Sequence, residues 1–138
     1  MMRFLHLHAF RIPFSLAPEE RTAYHDHMYV LVTYVPESHL EAVKQALFDA
    51  GCGCMDGYDH CCWTVKGEGQ FRPLFGSDPF LGKVGKMEKV VEYRIEVVVD
   101  ELHAAQAVEA LKRAHPYEVP AYHLINVMTI GGTDGQDH

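Results

Sequence analysis

Residues 57–85 read GYDHCCWTVKGEGQFRPLFGSDPFLGKVG, and regular amphipathic segments lie on both sides of them. This stretch contains the only tryptophan of the chain and two of its four cysteines. A connection that only reversed the direction of the chain would be shorter and more polar. We therefore predict that residues 57–85 form a β-hairpin followed by a long ordered loop, and that any site of the protein is built around them.

The hairpin is predicted from strand-forming residues on both sides of a glycine-rich turn. Cys61–Val65 and Gln70–Leu74 are the predicted paired strands, and residues 66–69 (KGEG) are the predicted turn, because glycine tolerates a positive φ. Pro73 indicates that the second strand is short or lies at an edge of the sheet, since proline donates no backbone hydrogen bond. Residues 75–86 are the predicted loop.

The segment before this stretch begins with a continuous apolar run. Met28–Val35 (MYVLVTYV) predicts a strand that is buried on both faces, and Pro36 ends it. Ser38 and Glu41 have the spacing of a capping box, in which each side chain satisfies a free amide at the start of a helix. A helix is therefore predicted over residues 38–50.

The segment after this stretch predicts a strand, a helix and a strand. Lys89–Val99 alternates between apolar and polar residues, which indicates a half-buried strand. Asp100 is a predicted cap for a second helix that Pro116 stops, and a final strand covers about residues 121–129. The βαββαβ order predicts an α+β, ferredoxin-like fold with two helices on one face of an antiparallel sheet. We expect a partner on the other face, because the first strand is apolar on both sides.

The length of 138 residues is that of a single domain with its own core. We predict a poorly ordered N-terminal extension over residues 1–27, the ferredoxin-like domain over residues 28–130 and a disordered tail over residues 131–138.

The charge and hydropathy of the chain exclude two classes of partner. The net charge of −7, with histidine neutral, is a poor match for the phosphate backbone of a nucleic acid. No apolar run approaches the ~20 residues that cross a membrane, and His6, His8 and Arg11 interrupt any signal-peptide core. We therefore expect a cytoplasmic protein with no nucleic-acid or membrane partner, whose cysteines are thiols.

Three motifs in the predicted loops form a recognisable set: Phe71-Arg72-Pro73, the spacing Pro79-x-x-Gly82-x-x-Gly85, and His115-Pro116-Tyr117-Glu118. Over about residues 28–127 the chain resembles the inserted domain of the YqfO-type, Nif-three-like dinuclear-metal hexameric proteins, also labelled type-two GTP cyclohydrolase homologues. The resemblance implies a fold similar to CutA and the PII signal proteins, and association as a homotrimer through the sheets. The metal ligands of the full-length family lie in a flanking domain, so the resemblance carries neither the metal centre nor a cyclohydrolase activity to this chain.

Two groups of side chains could build a pocket if the predicted hairpin folds over the end of the second helix. His115 and Glu118 would bind a polar group with Tyr117 as a wall; alternatively, His115 caps the helix C-terminus. Arg72 would hold an anion bidentately; alternatively, it pairs with Glu92 or Glu96. The predicted ligand contacts are Tyr58, His60, Arg72, His115, Tyr117 and Glu118.

Four other side chains have ligand chemistry for zinc or copper(I): Cys52, Cys54, His60 and Cys61. Their spacing differs from that of standard structural zinc sites. The alternative is that the cysteines are buried apolar residues of the core.

No P-loop and no nucleophile elbow is present in the sequence. The leading hypothesis is therefore a non-catalytic, homotrimeric domain that binds a small ligand or a metal ion in a regulatory role. The alternatives are a thiol-based protein of zinc or copper homeostasis and, third, a nucleotide hydrolase of the kind named in the family label.

Overall fold

The computed structural model of the protein describes residues 27–128. These residues form four strands and two α-helices. Within them the elements are β1 (Met28–Pro36), α1 (Leu40–Asp49), β2 (Trp63–Phe71), β3 (Glu88–Asp100), α2 (Glu101–Ala114) and β4 (Tyr122–Val127). The predicted βαββαβ order and the α+β class are confirmed. The predicted extension, apart from His27, and the predicted tail lie outside the described residues. No helix in residues 27–128 is long and apolar enough to cross a membrane.

The four strands form one antiparallel sheet in the order β2-β3-β1-β4. β1 lies between β3 and β4, so both of its edges are hydrogen-bonded. Its neighbouring residues Leu31 and Val32 point to opposite faces of the sheet, and both are buried. On the face opposite the helices, however, Val30 and Tyr34 are only partly buried, so the predicted burial on both faces holds in part.

The hydrophobic core lies between one face of the sheet and the two helices. Alternate residues of β3 face this core, as its sequence pattern predicts, and alternate residues of β1 lie opposite them. The largest side chains of the core are Leu31, Val35, Val43, Leu47, Ile95 and Leu111.

The two helices begin in different ways. The Asp100 carboxylate accepts a hydrogen bond from the His103 amide at 2.9 Å, so the predicted cap of α2 is confirmed. The predicted capping box of α1 is wrong, because a 3₁₀ turn over Glu37–His39 separates β1 from the helix. This turn displaces Ser38 from the capping position, and its hydroxyl instead lies 2.8 Å from Nδ1 of His39.

The predicted hairpin over residues 61–74 is also wrong. β2 is a single strand, and all nine of its residues pair with β3, from Trp63 opposite Glu96 to Phe71 opposite Glu88. Gly67 and Gly69 lie within this ladder and do not have a positive φ. Glycine permits a turn but does not require one. Here the hydrogen bonds between β2 and β3 keep Gly67 and Gly69 in an extended conformation. A long loop over residues 72–87 joins the two strands, as predicted.

The face of the sheet opposite the helices has no helix over it in the described part of the chain. The register of the strands places Val30, Trp63, Val65 and Ile125 on this face. Trp63 is 66% exposed, and Val65 and Ile125 are about half exposed. We call these four residues the open apolar face.

Candidate ligand-binding cleft

A cleft of about 540 Å³ lies at the end of the sheet where β2 ends. Its walls come from β1, β2, β3, the loop over residues 72–87 and the segment that follows α2. The aromatic side chains that line it are Tyr34, Phe71, Phe80 and Tyr117. The charged side chains that line it are Glu68, Arg72, Glu92 and Glu118.

His115 is buried behind the cleft and fixes the segment that carries Tyr117. Its Nε2 lies 2.6 Å from the carbonyl oxygen of Tyr34, and its Nδ1 lies 3.1 Å from the amide nitrogen of Tyr117. The carbonyl can only accept and the amide can only donate, so the ring is neutral with its proton on Nε2. Burial lowers the pKa of His115, which also favours the neutral ring. His115 therefore positions Tyr117, and both of its ring nitrogens are occupied.

Tyr117 presents a buried hydroxyl group to the cleft. Its ring contacts the rings of Phe71 and Phe80, with centroids 6.1 Å and 6.2 Å away. The hydroxyl oxygen has no well-formed hydrogen bond to any described residue, although the Glu92 carboxylate lies beside it. Burial raises the pKa of Tyr117, and the charge of Glu92 raises this pKa further. The hydroxyl group is therefore neutral, and it can donate its proton to Glu92 or accept a hydrogen bond from a ligand in the cleft.

Glu92 reaches the cleft by crossing Gly69 of β2. A Cβ atom built on Gly69 would collide with Oε1 of Glu92, whereas a Cβ atom on Gly67 would meet nothing. Glycine in a strand often marks a close approach of this kind. Glu92 makes no ion pair within residues 27–128. Its negative charge is therefore uncompensated by any described side chain.

Arg72 and Glu118 lie at the exposed rim of the cleft. Oε2 of Glu118 accepts a hydrogen bond from the amide of Asp78 at 2.9 Å, which ties the segment after α2 to the loop over residues 72–87. Arg72 forms no ion pair with a described residue, and Glu96 instead pairs with Arg94 at 2.7 Å. The alternative role predicted for Arg72, a pair with Glu92 or Glu96, is therefore not seen among the described contacts.

Tyr58 and His60 lie near the opposite end of β2 and do not line the cleft. The ring of His60 packs against Phe48, with centroids 4.7 Å apart, and its Nδ1 lies 3.3 Å from Asp59. The length of β2 alone separates the two ends by about 26 Å. Of the six predicted ligand contacts, the structure thus brings Arg72, Tyr117 and Glu118 together in the cleft, with His115 behind them.

The predicted metal ligands are His60 and three cysteines that precede or follow it in the sequence. Cys52 is buried in the core, and burial raises the pKa of its thiol to about 12. Cys54 is exposed, and the thiol of Cys61 donates to the carbonyl oxygen of Asp59 at 3.6 Å. The described part of the chain contains no group of three or more His, Cys, Asp or Glu side chains arranged to hold a metal ion.

The alternating pattern of β3 places Glu92 among its polar residues and does not indicate that this side chain lines the cleft. Phe80 and Tyr34 were missed as well, because a loop residue and a central-strand residue carry no local signal for a cleft. A signal for Glu92 did exist. Glycine inside a strand, as at Gly69, often marks a place where another group closely approaches the backbone.

Comparison with known proteins agrees with the fold. A protein of Mycobacterium leprae named GTP cyclohydrolase 1 type 2 homolog is 42% identical over 104 residues, which are 75% of this chain and 27% of that protein. The solved structure of a Bacillus cereus protein related to NIF3 matches with a TM-score of 0.66 and 36% identity, over 75% of this chain and 26% of that one. The domain is homologous to a segment of the NIF3-related proteins.

The NIF3-related proteins that match are much longer than the matching segment. The chain spans only 27% and 29% of the first two curated relatives. No family model matches the chain. CutA from Synechococcus elongatus has the same fold, with a TM-score of 0.56 and 16% identity over 75% of this chain and 79% of that one.

Proposed function

We propose that this NIF3-related domain is a non-catalytic, homo-oligomeric module that binds a small ligand in the cleft beside Tyr117. The single observation that carries this proposal is the buried hydroxyl of Tyr117 at the wall of an aromatic cleft, which has no well-formed hydrogen bond to a described residue. A buried polar group without a partner costs about 1–3 kcal/mol, and a bound ligand would recover this energy. The cleft volume of about 540 Å³ is in the range of small-molecule sites.

The state of two titratable groups at the cleft supports binding without chemistry. A general base must be free to accept a proton near neutral pH. Both ring nitrogens of His115 are already bonded, and the raised pKa of Tyr117 keeps its hydroxyl protonated. The activity named for the relatives is not part of this proposal, because the chain spans about a quarter of their length.

Ligand binding is tested by two-dimensional ¹H–¹⁵N NMR of the protein with a library of fragments at millimolar concentration. We expect some fragments to shift the amide signals of Phe71, Phe80 and Tyr117, and we expect Tyr117→Phe to weaken their binding. Signals of Tyr58 and His60 serve as the internal control, since these residues lie outside the cleft. A library that shifts no cleft signal overturns the proposal.

Self-association through the open apolar face is the second part of the proposal. An exposed tryptophan beside a half-exposed valine and isoleucine on one sheet face is typical of an interface rather than of a solvent face. We propose a trimer and would measure its mass by size-exclusion chromatography with light scattering. Trp63→Glu should dissociate it, whereas Leu102→Glu, at an exposed position on α2, should not. A wild-type protein that is monomeric at micromolar concentration overturns the trimer.

A further inference from the structure

The charges that line the cleft are unequal. Three carboxylates, those of Glu68, Glu92 and Glu118, face a single cation, Arg72. Glu68 lies 3.7 Å from Lys89, and Glu118 accepts the Asp78 amide. Glu92 is the carboxylate with no ion pair among the described residues, so it is the one left for a ligand.

The surroundings of Glu92 favour a positive charge in front of it. Its carboxylate lies over Gly69 and beside the Tyr117 hydroxyl, in a cleft walled by four aromatic rings. A cation there would be attracted both by the carboxylate and by the faces of the aromatic rings. Partial removal of water strengthens both attractions relative to those at an exposed surface.

An anionic ligand would meet a less favourable arrangement. Arg72 lies exposed at the rim, where water screens its charge. An anionic group bound deeper in the cleft would instead be repelled by Glu92. The positions of the two charges therefore predict which sign of ligand the cleft prefers.

We infer that the ligand of the cleft is an organic cation, a protonated amine or amidinium group on a flat apolar body. The cation would bind the Glu92 carboxylate, and the body would pack against Phe71, Phe80 and Tyr117. This inference rests on the proposed function and deepens it by naming the class of ligand.

The test compares three probes of nearly the same shape: benzamidine, which is cationic, benzamide, which is neutral, and benzoate, which is anionic. Their dissociation constants are measured by NMR titration of the cleft amides. We expect benzamidine to bind about tenfold more tightly than benzoate, with benzamide between them. Glu92→Gln should remove most of this difference while keeping the shape of the side chain. Glu109→Gln, which removes the same charge from the exposed surface of α2, should leave the difference unchanged.

The outcomes separate this inference from the proposal on which it rests. Equal or tighter binding of benzoate, or a preference for benzamidine that survives Glu92→Gln, overturns the cationic ligand but leaves a cleft that binds small molecules. A cleft that responds neither to the three probes nor to the fragment library overturns both.

Discussion

Nε2 of His115 lies 2.6 Å from the carbonyl oxygen of Tyr34, and this hydrogen bond joins the segment after α2 to the end of β1. The same ring accepts the amide of Tyr117 on its other nitrogen. One buried imidazole thus fixes the backbone of two residues that line the cleft.

Replacing His115 should destabilise the fold. His115→Ala leaves the Tyr34 carbonyl and the Tyr117 amide without their partner, and each such loss costs about 1–3 kcal/mol. We expect the free energy of unfolding in urea to fall by at least about 2 kcal/mol. Gln106→Ala, at an exposed position of α2, is the control and should change it by less than about 0.5 kcal/mol. Equal effects of the two substitutions would contradict the structural role of His115.

The stability of the protein should depend on pH through the same side chain. Burial lowers the pKa of His115 in the folded protein, whereas the unfolded chain keeps the ordinary value of about 6.5. The unfolded state therefore binds more protons in acid than the folded state does. The contribution of His115 to the free energy of unfolding is complete above about pH 6.5, and it declines as the pH falls toward the lowered pKa. The measurement is the difference in unfolding free energy between wild type and His115→Gln from about pH 8 to pH 5. This difference should shrink in acid, and a constant difference would rule out the linkage.

The two glycines of β2 should respond differently to alanine. Gly69→Ala places a methyl group where the Glu92 carboxylate lies, whereas the methyl group of Gly67→Ala meets open space. Gly67→Ala should raise stability by about 0.5 kcal/mol, because it restricts the unfolded chain. Gly69→Ala should displace Glu92 and weaken benzamidine binding about tenfold in the NMR titration. If both variants bind benzamidine as wild type does, Glu92 is not held in the cleft as described.

The thiols should react at very different rates. Cys52 is 1% exposed and burial raises its pKa to about 12, so neither access nor ionisation favours its reaction. Cys54 is exposed and should be modified first by Ellman's reagent in the folded protein. Mass spectrometry of the modified peptides identifies the order. Modification of Cys52 before the protein unfolds would contradict its burial.

The elements that the sequence predicts correctly are those decided by neighbouring residues. The alternation of β3 and the cap at Asp100 depend on residues within a few positions, so their pattern is complete in the sequence. The predicted capping box at Ser38 is wrong because the 3₁₀ turn after Pro36 shifts the start of α1. The spacing of Ser38 and Glu41 does not reveal this turn.

The cleft depends on contacts between distant parts of the chain. Gly69 and Glu92 belong to different strands, and their proximity follows from the register of β2 and β3. The loop motifs correctly indicated Arg72, Tyr117 and Glu118 as residues of the cleft. Tyr58 and His60 are near Arg72 in the sequence but do not line the cleft. Because β2 is one continuous strand and not a hairpin, Tyr58 and His60 lie near the opposite end of the sheet from Arg72.

The central position of β1 in the sheet has a consequence for the synthesis of the protein. Met28 pairs with Asp100 on one side and with Val127 on the other, so both partners of this early apolar strand are translated long after it. Contacts so distant along the chain slow folding, and an unpaired apolar strand can pair with another chain in the meantime. In a nascent chain, at least one edge of β1 therefore stays unpaired until β4 has been translated.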